Sequence, residues 1–181
     1  MRKIFIDAGG HKGQSIEAFK QESFYEPSFE IYCFEPNPYF KKYLVNREDI
    51  LFLDYALWIY YGWVEFFINS KKLTATGSTL IGSKNNVDKE AAFKVKCIDF
   101  SHWLVRTFKK DDYIILRMDI EGAEYEVLQK MLKDKTIHYI NDLSVEFHYT
   151  KTGYSKLKHD FLIQQLKDIK NVKFKIEGVY Q

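Results

Sequence analysis

The chain has 181 residues, of which 46% are apolar and 29% charged, and its net charge is +2. These fractions are ordinary for a globular protein and exclude a disordered tail, a collagen-like repeat and a small disulfide scaffold. The near-neutral balance provides no basic stripe, so no nucleic-acid partner is expected. The length predicts one domain over residues 1–181. Residues 3–7 (KIFID) read as a first strand, followed by a glycine loop over 9–13 and a short helix through Ile16, Ala18 and Phe19. A second strand over 30–35 (EIYCFE) stops at Pro36-Asn37-Pro38, which starts another helix. A third strand covers 50–54, and segments 56–60 and 63–68 suggest an inserted antiparallel pair. Residues 69–90 are polar and lack periodicity, as a functional loop of that length would. A strand over 93–98 leads to a helix capped by Ser101 and carrying Trp103, Leu104 and Phe108. A strand over 113–119 precedes a helix over 123–132, and another strand covers 143–148. Leu157, Phe161, Leu162, Leu166 and Ile169 mark a final helix before a last strand over 172–176. This alternation predicts an α/β fold, a doubly wound, mostly parallel sheet with an inserted antiparallel hairpin. Cys33 and Cys97 lie in apolar runs and read as buried thiols. The apolar run 50–68 contains Asp54, Gly62 and Glu65, which argues against a membrane span. With no secretory signal at its start, the chain is expected to be cytoplasmic.

The start of the first helix is the most informative segment. Glycines there let the backbone leave the strand sharply and approach a ligand at the carboxyl edge of the sheet. Ala8-x-Gly10-x-x-Gly13 approximates a dinucleotide fingerprint without its first glycine, whereas Asp7-x-Gly9-x-x-x-Gly13 is the acidic form of S-adenosylmethionine binders. A carboxylate at Asp7 would repel a pyrophosphate and attract the ammonium and sulfonium of S-adenosylmethionine. Asp7 as a simple cap of the loop is the plainer alternative. Gly9, Gly10, His11 and Gly13 then shape the cofactor loop. Glu35, ending the second strand, can accept hydrogen bonds from both ribose hydroxyls. Asp54 ends the third strand in the same register, and the segment Asp54-Tyr55-Ala56-Leu57 could flank the adenine.

A second group of polar residues lies at Arg117-x-Asp119 and Glu146-x-His148, two sets that strand alternation puts on one side each. If their strands are parallel neighbours, two cross-strand pairs follow, Arg117 with Glu146 and Asp119 with His148. His148 is the candidate general base for a substrate hydroxyl, oriented by Asp119. Glu121 and Glu124 read as first-turn carboxylates favoured by the helix dipole. Asp119, Glu146 and His148 could also ligate a divalent ion, but a loose carboxylate–imidazole set assigns none, and no metal is expected.

These residues resemble the FkbM-type family of S-adenosylmethionine-dependent methyltransferases. The matching pieces are Asp7-x-Gly9-x-x-x-Gly13, Phe34-Glu35-Pro36-Asn37-Pro38, Asp54-Tyr55-Ala56, Gly77-Ser78-Thr79-Leu80 and the block from Arg117 to Glu124, with Glu146-Phe147-His148 on the next strand. The resemblance implies a class I, Rossmann-like methyltransferase fold and methyl transfer to a hydroxyl of a sugar, glycan or sugar-containing metabolite. It makes Ser78, Thr79 and Arg117 candidates for acceptor binding, the first two on a lid. Trp58, Tyr60, Tyr61, Trp63 and Tyr149 would offer rings to sugar faces. His11 stands where many relatives carry Asn or Gly, which leaves Lys12 to hold the methionine carboxylate. The short C-terminus predicts a shortened or missing terminal strand pair. Two other readings are a nicotinamide-dependent oxidoreductase and a domain that binds S-adenosylmethionine without turnover. The sequence leaves the oligomeric state open.

Overall fold

The computed structural model describes residues 1–69, 77–85 and 87–178. In chain order the first half comprises β1 (Lys3–Ala8), α1 (Gln14–Lys20), β2 (Phe29–Phe34), α2 (Lys41–Leu44), β3 (Leu51–Leu53), β4 (Ala56–Trp58) and β5 (Gly62–Asn69). The second half comprises β6 (Val87–Asp99), α3 (Phe100–Thr107), β7 (Tyr113–Met118), α4 (Glu124–Lys133), β8 (Asp142–Glu146), α5 (Tyr149–Thr152), α6 (Lys156–Lys167) and β9 (Lys173–Glu177).

Six strands form one sheet in the order β3-β2-β1-β7-β8-β9. Every pairing in it is parallel. Parallel strands need both faces covered, which explains why Ile4, Phe5 and Ile6 are all buried in one run. Ile4, Ile6, Leu116 and Met118 meet Leu104 of α3, Leu128 of α4 and Leu162 of α6 on one face. Phe5, Ile31 and Cys33 meet Ile16 and Phe19 of α1 and Leu44 of α2 on the other. The chain order reverses at β1, which pairs with β2 on one side and β7 on the other. The carboxyl ends flanking that switch point are where an open α/β sheet leaves a crevice.

The second sheet corrects the expected pairing. Segments 56–60 and 63–68 do not pair with each other. β4 runs parallel to β6 and β5 antiparallel to it, in the order β4-β6-β5. β6 is 13 residues long and offers both edges, so Cys97 is the register partner of Ala56 on one side and Gly62 on the other. The antiparallel pair is therefore β5 with β6.

Three local expectations also shift. Asn37 Oδ1 accepts from Tyr39 N at 3.0 Å, and that side-chain turn delays the helix expected at Pro38 until Lys41. α3 is capped by Asp99, whose carboxylate accepts from His102 N at 3.0 Å. Ser101, the expected cap, is buried with its hydroxyl 2.6 Å from that of Thr136. In α6 only Leu162 and Leu166 reach the core, while Leu157 and Phe161 face solvent. Cys33 and Cys97 are buried free thiols. Among the described residues no helix is long and apolar enough to cross a membrane.

Candidate active site

A cavity of about 710 Å³, its open mouth included, lies at the carboxyl ends of β1, β2 and β7. Its wall takes Gly9 and His11 from the loop after β1, Glu35 and Asn37 from the loop after β2, and Asp119 to Glu121 from the loop after β7. Tyr55, Ala56 and Leu57 close one side, and Ser78 and Leu80 of the polar stretch reach another. Its place at the carboxyl edge, beside the switch point, is where an open α/β sheet binds a ligand.

Backbone contacts hold this wall tightly. Gly9 N and Gly10 N both donate to Phe34 O, at 3.0 and 2.9 Å, and Asp119 N donates to Ala8 O at 2.9 Å. A side chain at Gly9 would place Cβ 1.9 Å from Asp119 O, and its φ of +94° is itself glycine territory. His11 and Glu121 also take left-handed φ values, +49° and +57°, which concentrates backbone strain at the cavity.

Glu35 is buried, and each carboxylate oxygen accepts one backbone N–H, from His11 at 2.8 Å and Asn37 at 2.7 Å. Burial pushes its carboxyl up to about 7 against the pull of those two bonds. Asn37 Nδ2, His11 Nε2 and Asp119 Oδ1 are buried without a hydrogen-bond partner. All three residues line the cavity, so it presents unused polar capacity to a ligand.

A family described as the methyltransferase FkbM domain matches residues 7–176. The chain belongs to the FkbM methyltransferase family. No curated protein and no solved structure matches it. The mostly parallel central sheet with a small mixed sheet beside it is the Rossmann-like frame expected of an FkbM methyltransferase.

The frame brings six of the site residues singled out in the sequence to the cavity and places the others around it. Gly9, His11, Glu35, Ala56, Ser78 and Asp119 line the cavity. Gly10 lies behind it against Cys33, and Gly13 caps α1. Asp7 turns the other way: it is fully buried, accepts from Ser15 Oγ and lies 3.5 Å from Arg117. Burial raises its pKa, and Ser15 and Arg117 oppose that rise. Asp54 is half-exposed and pairs with Lys41 at 2.9 Å. Thr79 is buried, its hydroxyl donating to Glu121 O at 2.6 Å rather than facing the cavity. Lys12 places its ammonium over Tyr43, 5.4 Å from the ring centre. Tyr61 and Trp63 line a separate concavity with Lys96 and Trp103, and Tyr149 stacks on His159. Residues 70–76, in the expected lid, lie outside the described residues.

The expected pair Arg117–Glu146 does not form. Register sets Arg117 beside Asp7 on β1 and Ser144 on β8, so its guanidinium meets Asp7, Asp119 at 3.4 Å and Glu177 at 3.1 Å. The second pair does form, with Asp119 Oδ1 3.9 Å from His148 Nε2. Burial, then Glu146 and Glu121, push Asp119 up to about 7 while Arg117 and His148 pull it back. Burial lowers His148, but the bond to Glu124 and the charges of Glu124, Glu121 and Asp119 outweigh it and leave the imidazole raised.

Glu121 and Glu124 are the residues that a helix-dipole reading misses. Glu124 is fully buried, accepts from Ile120 N and Gly122 N at 2.9 and 2.7 Å, and lies 3.2 Å from His148 Nδ1. Glu121 Oε2 lies 3.3 Å from His148 Nε2 and pairs with the buried Lys84. A carboxylate in the first turn of a helix, where backbone N–H groups lack partners, is a local signal readable in sequence. Lys84 has no such signal, because its partner is 37 residues away.

Proposed function

We propose that this methyltransferase moves the methyl group of S-adenosylmethionine to a hydroxyl of a sugar, glycan or sugar-containing metabolite. One observation carries the choice of donor. Among the described residues, the cavity wall holds the carboxylates of Glu35, Asp119 and Glu121 and no lysine or arginine. Such a wall favours a ligand bearing cationic groups and repels a pyrophosphate, which weighs against the nicotinamide reading. The charge argument first placed on Asp7 thus passes to these three residues, since Asp7 is engaged by Ser15 and Arg117.

Glu35 would hold the ribose, because each oxygen that takes one N–H keeps capacity for a hydroxyl. Asn37 Nδ2 and His11 Nε2 would serve polar atoms of the same ligand. Tyr55, Ala56 and Leu57 would flank the adenine. When bound, the donor supplies an electrophilic methyl on a sulfonium. The chain has then to align the acceptor, exclude water and accept one proton. Phe34, Phe40, Phe66 and Leu80 line the cavity and provide the water exclusion. The proton of the acceptor hydroxyl would go to the cluster of Asp119, Glu146 and His148, with Ser78 near the acceptor and Arg117 engaged by Asp7, Asp119 and Glu177 away from it. The location of the reaction is proposed as cytoplasmic.

Calorimetric titration with S-adenosylhomocysteine tests this, with NAD as control. Micromolar binding that weakens at least tenfold in Glu35→Ala, about 1.4 kcal/mol, supports the reading. Preference for NAD, or no binding, overturns it. Methyl transfer to a panel of sugars then tests the acceptor, and binding without transfer would favour a domain lacking turnover.

A further inference from the structure

His148 sits at the centre of an unusual density of carboxylates. Its ring is almost fully buried, and Nδ1 is committed to Glu124 at 3.2 Å. That contact directs Nε2 the opposite way, toward Glu121 Oε2 at 3.3 Å, Glu146 Oε1 at 3.7 Å and Asp119 Oδ1 at 3.9 Å. Nε2 makes no hydrogen bond to any described residue. Asp119 Oδ1 is likewise buried and without a hydrogen-bond partner. His148 Nε2 and the unpartnered Asp119 Oδ1 therefore face one another across 3.9 Å, beside Glu121 and Glu146.

The charges around this point do not balance. The ion-pair network joining Asp7, Asp119, Glu121, Glu124, Glu146 and Glu177 contains Arg117, Lys84 and His148 as its only cationic groups among the described residues. Even with His148 protonated, the carboxylates outnumber the cations two to one. Arg117 is shared among three of them, and Glu146 has no ionic partner except His148 among the described residues. Partly buried negative charge of this kind is costly unless a proton or a cation joins it.

We propose that Asp119, Glu146 and His148 form a binding site for a divalent cation of the Mg2+ and Mn2+ class. One ligand atom from each lies within 4.8 Å of the other two. Adjacent ligands on an octahedral cation with bonds of about 2.0–2.1 Å stand about 3 Å apart, so the side chains must draw together to complete the set. Two carboxylate oxygens suit hard cations such as Mg2+ and Mn2+, whereas the imidazole also suits later first-row ions. Glu124 holds the Nδ1 side of the ring, the carboxylate–histidine arrangement that fixes a metal-binding imidazole. Asp119 also lines the cavity, so the cation would stand at its wall with open positions for an acceptor oxygen. The use of the site rests on the methyl-transfer reading: a hydroxyl bound to the cation loses its proton more easily. With Asp119, Glu146 and His148 holding the cation, that proton passes in place of them to Glu121, which gives no ligand atom to the set. The alkoxide stays on the cation.

The test is titration of the chelator-treated full chain with Mn2+ alone, followed by electron paramagnetic resonance, with no methyl donor present. The expected result is one Mn2+ per chain, bound at least tenfold more weakly by Glu146→Gln and by His148→Gln. Glu177→Gln removes a charge from the same network but no ligand, and its Mn2+ affinity is expected to stay within threefold. Mn2+ is also expected to raise the melting temperature of the unsubstituted chain, a readout that needs no variant. Equal Mn2+ binding by the chain and by Glu146→Gln, or equal loss in Glu177→Gln, overturns the site. S-adenosylhomocysteine is titrated into the same samples. Mn2+ binding without it supports the cation site and overturns the donor reading, and the reverse result does the opposite.

Discussion

Gly9 and Gly10 hold the cavity wall against different kinds of neighbour, and they should respond differently to an added methyl group. At Gly9 the new Cβ meets a backbone oxygen, Asp119 O, at 1.9 Å, and the left-handed φ disfavours any side chain. At Gly10 the nearest atom is a side-chain sulfur, Cys33 Sγ at 2.2 Å. Gly10→Ala is expected to cost about 1–3 kcal/mol as an overpacked site. Cys33→Ala should recover at least half of that loss in the double variant, because it removes the clashing atom. Gly9→Ala should cost more and show no such rescue. Urea unfolding of the parent, the three single variants and the two doubles with Cys33→Ala checks both statements, and equal loss in Gly10→Ala with and without Cys33 would refute the packing account. The residue scale also explains the departure at His11. Its φ of +49° is a conformation in which Asn and Gly are at ease, the residues that the family resemblance leads one to expect there. His11 holds that shape with its ring 3.9 Å from the Phe40 ring centre and its N–H on Glu35. Since Glu35 titrates near 7 in the free protein, ribose binding that needs the carboxylate should weaken as it gains a proton. S-adenosylhomocysteine affinity is therefore expected to fall about tenfold from pH 8 to pH 6, and Glu35→Gln should flatten that profile in calorimetry.

At the scale of elements, apolar spacing locates α6 well but assigns too many of its residues to the core. Leu162 and Leu166 are each 1% exposed, whereas Phe161 is 66% exposed, although all three are large and apolar. Leu162→Ala is expected to cost about 2–5 kcal/mol, and Phe161→Ala to stay within about 0.5 kcal/mol. A thermal or urea melt separates the two, and similar losses would show that α6 packs differently. The same contrast marks what is legible in sequence. The central strands β1, β2 and β7 are near-continuous apolar runs, and their carboxyl ends carry Asp7, Glu35 and Asp119, so both the frame and the edge that bears the site can be read locally. β6 cannot, because its first half is Val87-Asp88-Lys89-Glu90-Ala91-Ala92 and shows no alternation of its own. It is a strand there through antiparallel pairing with β5, where Phe67 faces Ala92 and Asn69 faces Val87. Partner choice between segments is a property of three-dimensional register, and the expected hairpin of 56–60 with 63–68 failed for that reason.

Across the whole molecule, the charged groups that escaped the sequence reading are those whose partners are distant. Arg117 reaches Glu177 and Lys84 reaches Glu121 across 60 and 37 residues, so no local spacing announces either pair. Their clustering at one edge gives the protein a pH dependence whose sign follows from burial. Glu35 has a folded pKa of about 7, against 4.5 for an ordinary glutamate. Between those values the folded state binds more protons than the unfolded chain, and stability falls as pH rises through that window. The carboxylates paired at the surface act the other way. Glu30 on Arg2, Asp49 on Arg47 and Asp134 on Lys130 are all lowered by their partners. Their contribution is present above the ordinary carboxylate range and lost only as the solution becomes more acidic than that. Stability should therefore peak near pH 5, not at neutrality. Glu35 accounts for at most about 3 kcal/mol of the decline from pH 5 to pH 8 at 1.36 kcal/mol per pKa unit. Glu35→Gln keeps the shape and removes the titration, so its urea midpoint should decline less over that range. If the two proteins, both measured in chelator, lost stability in parallel from pH 5 to pH 8, the raised carboxyl of Glu35 would not be its cause.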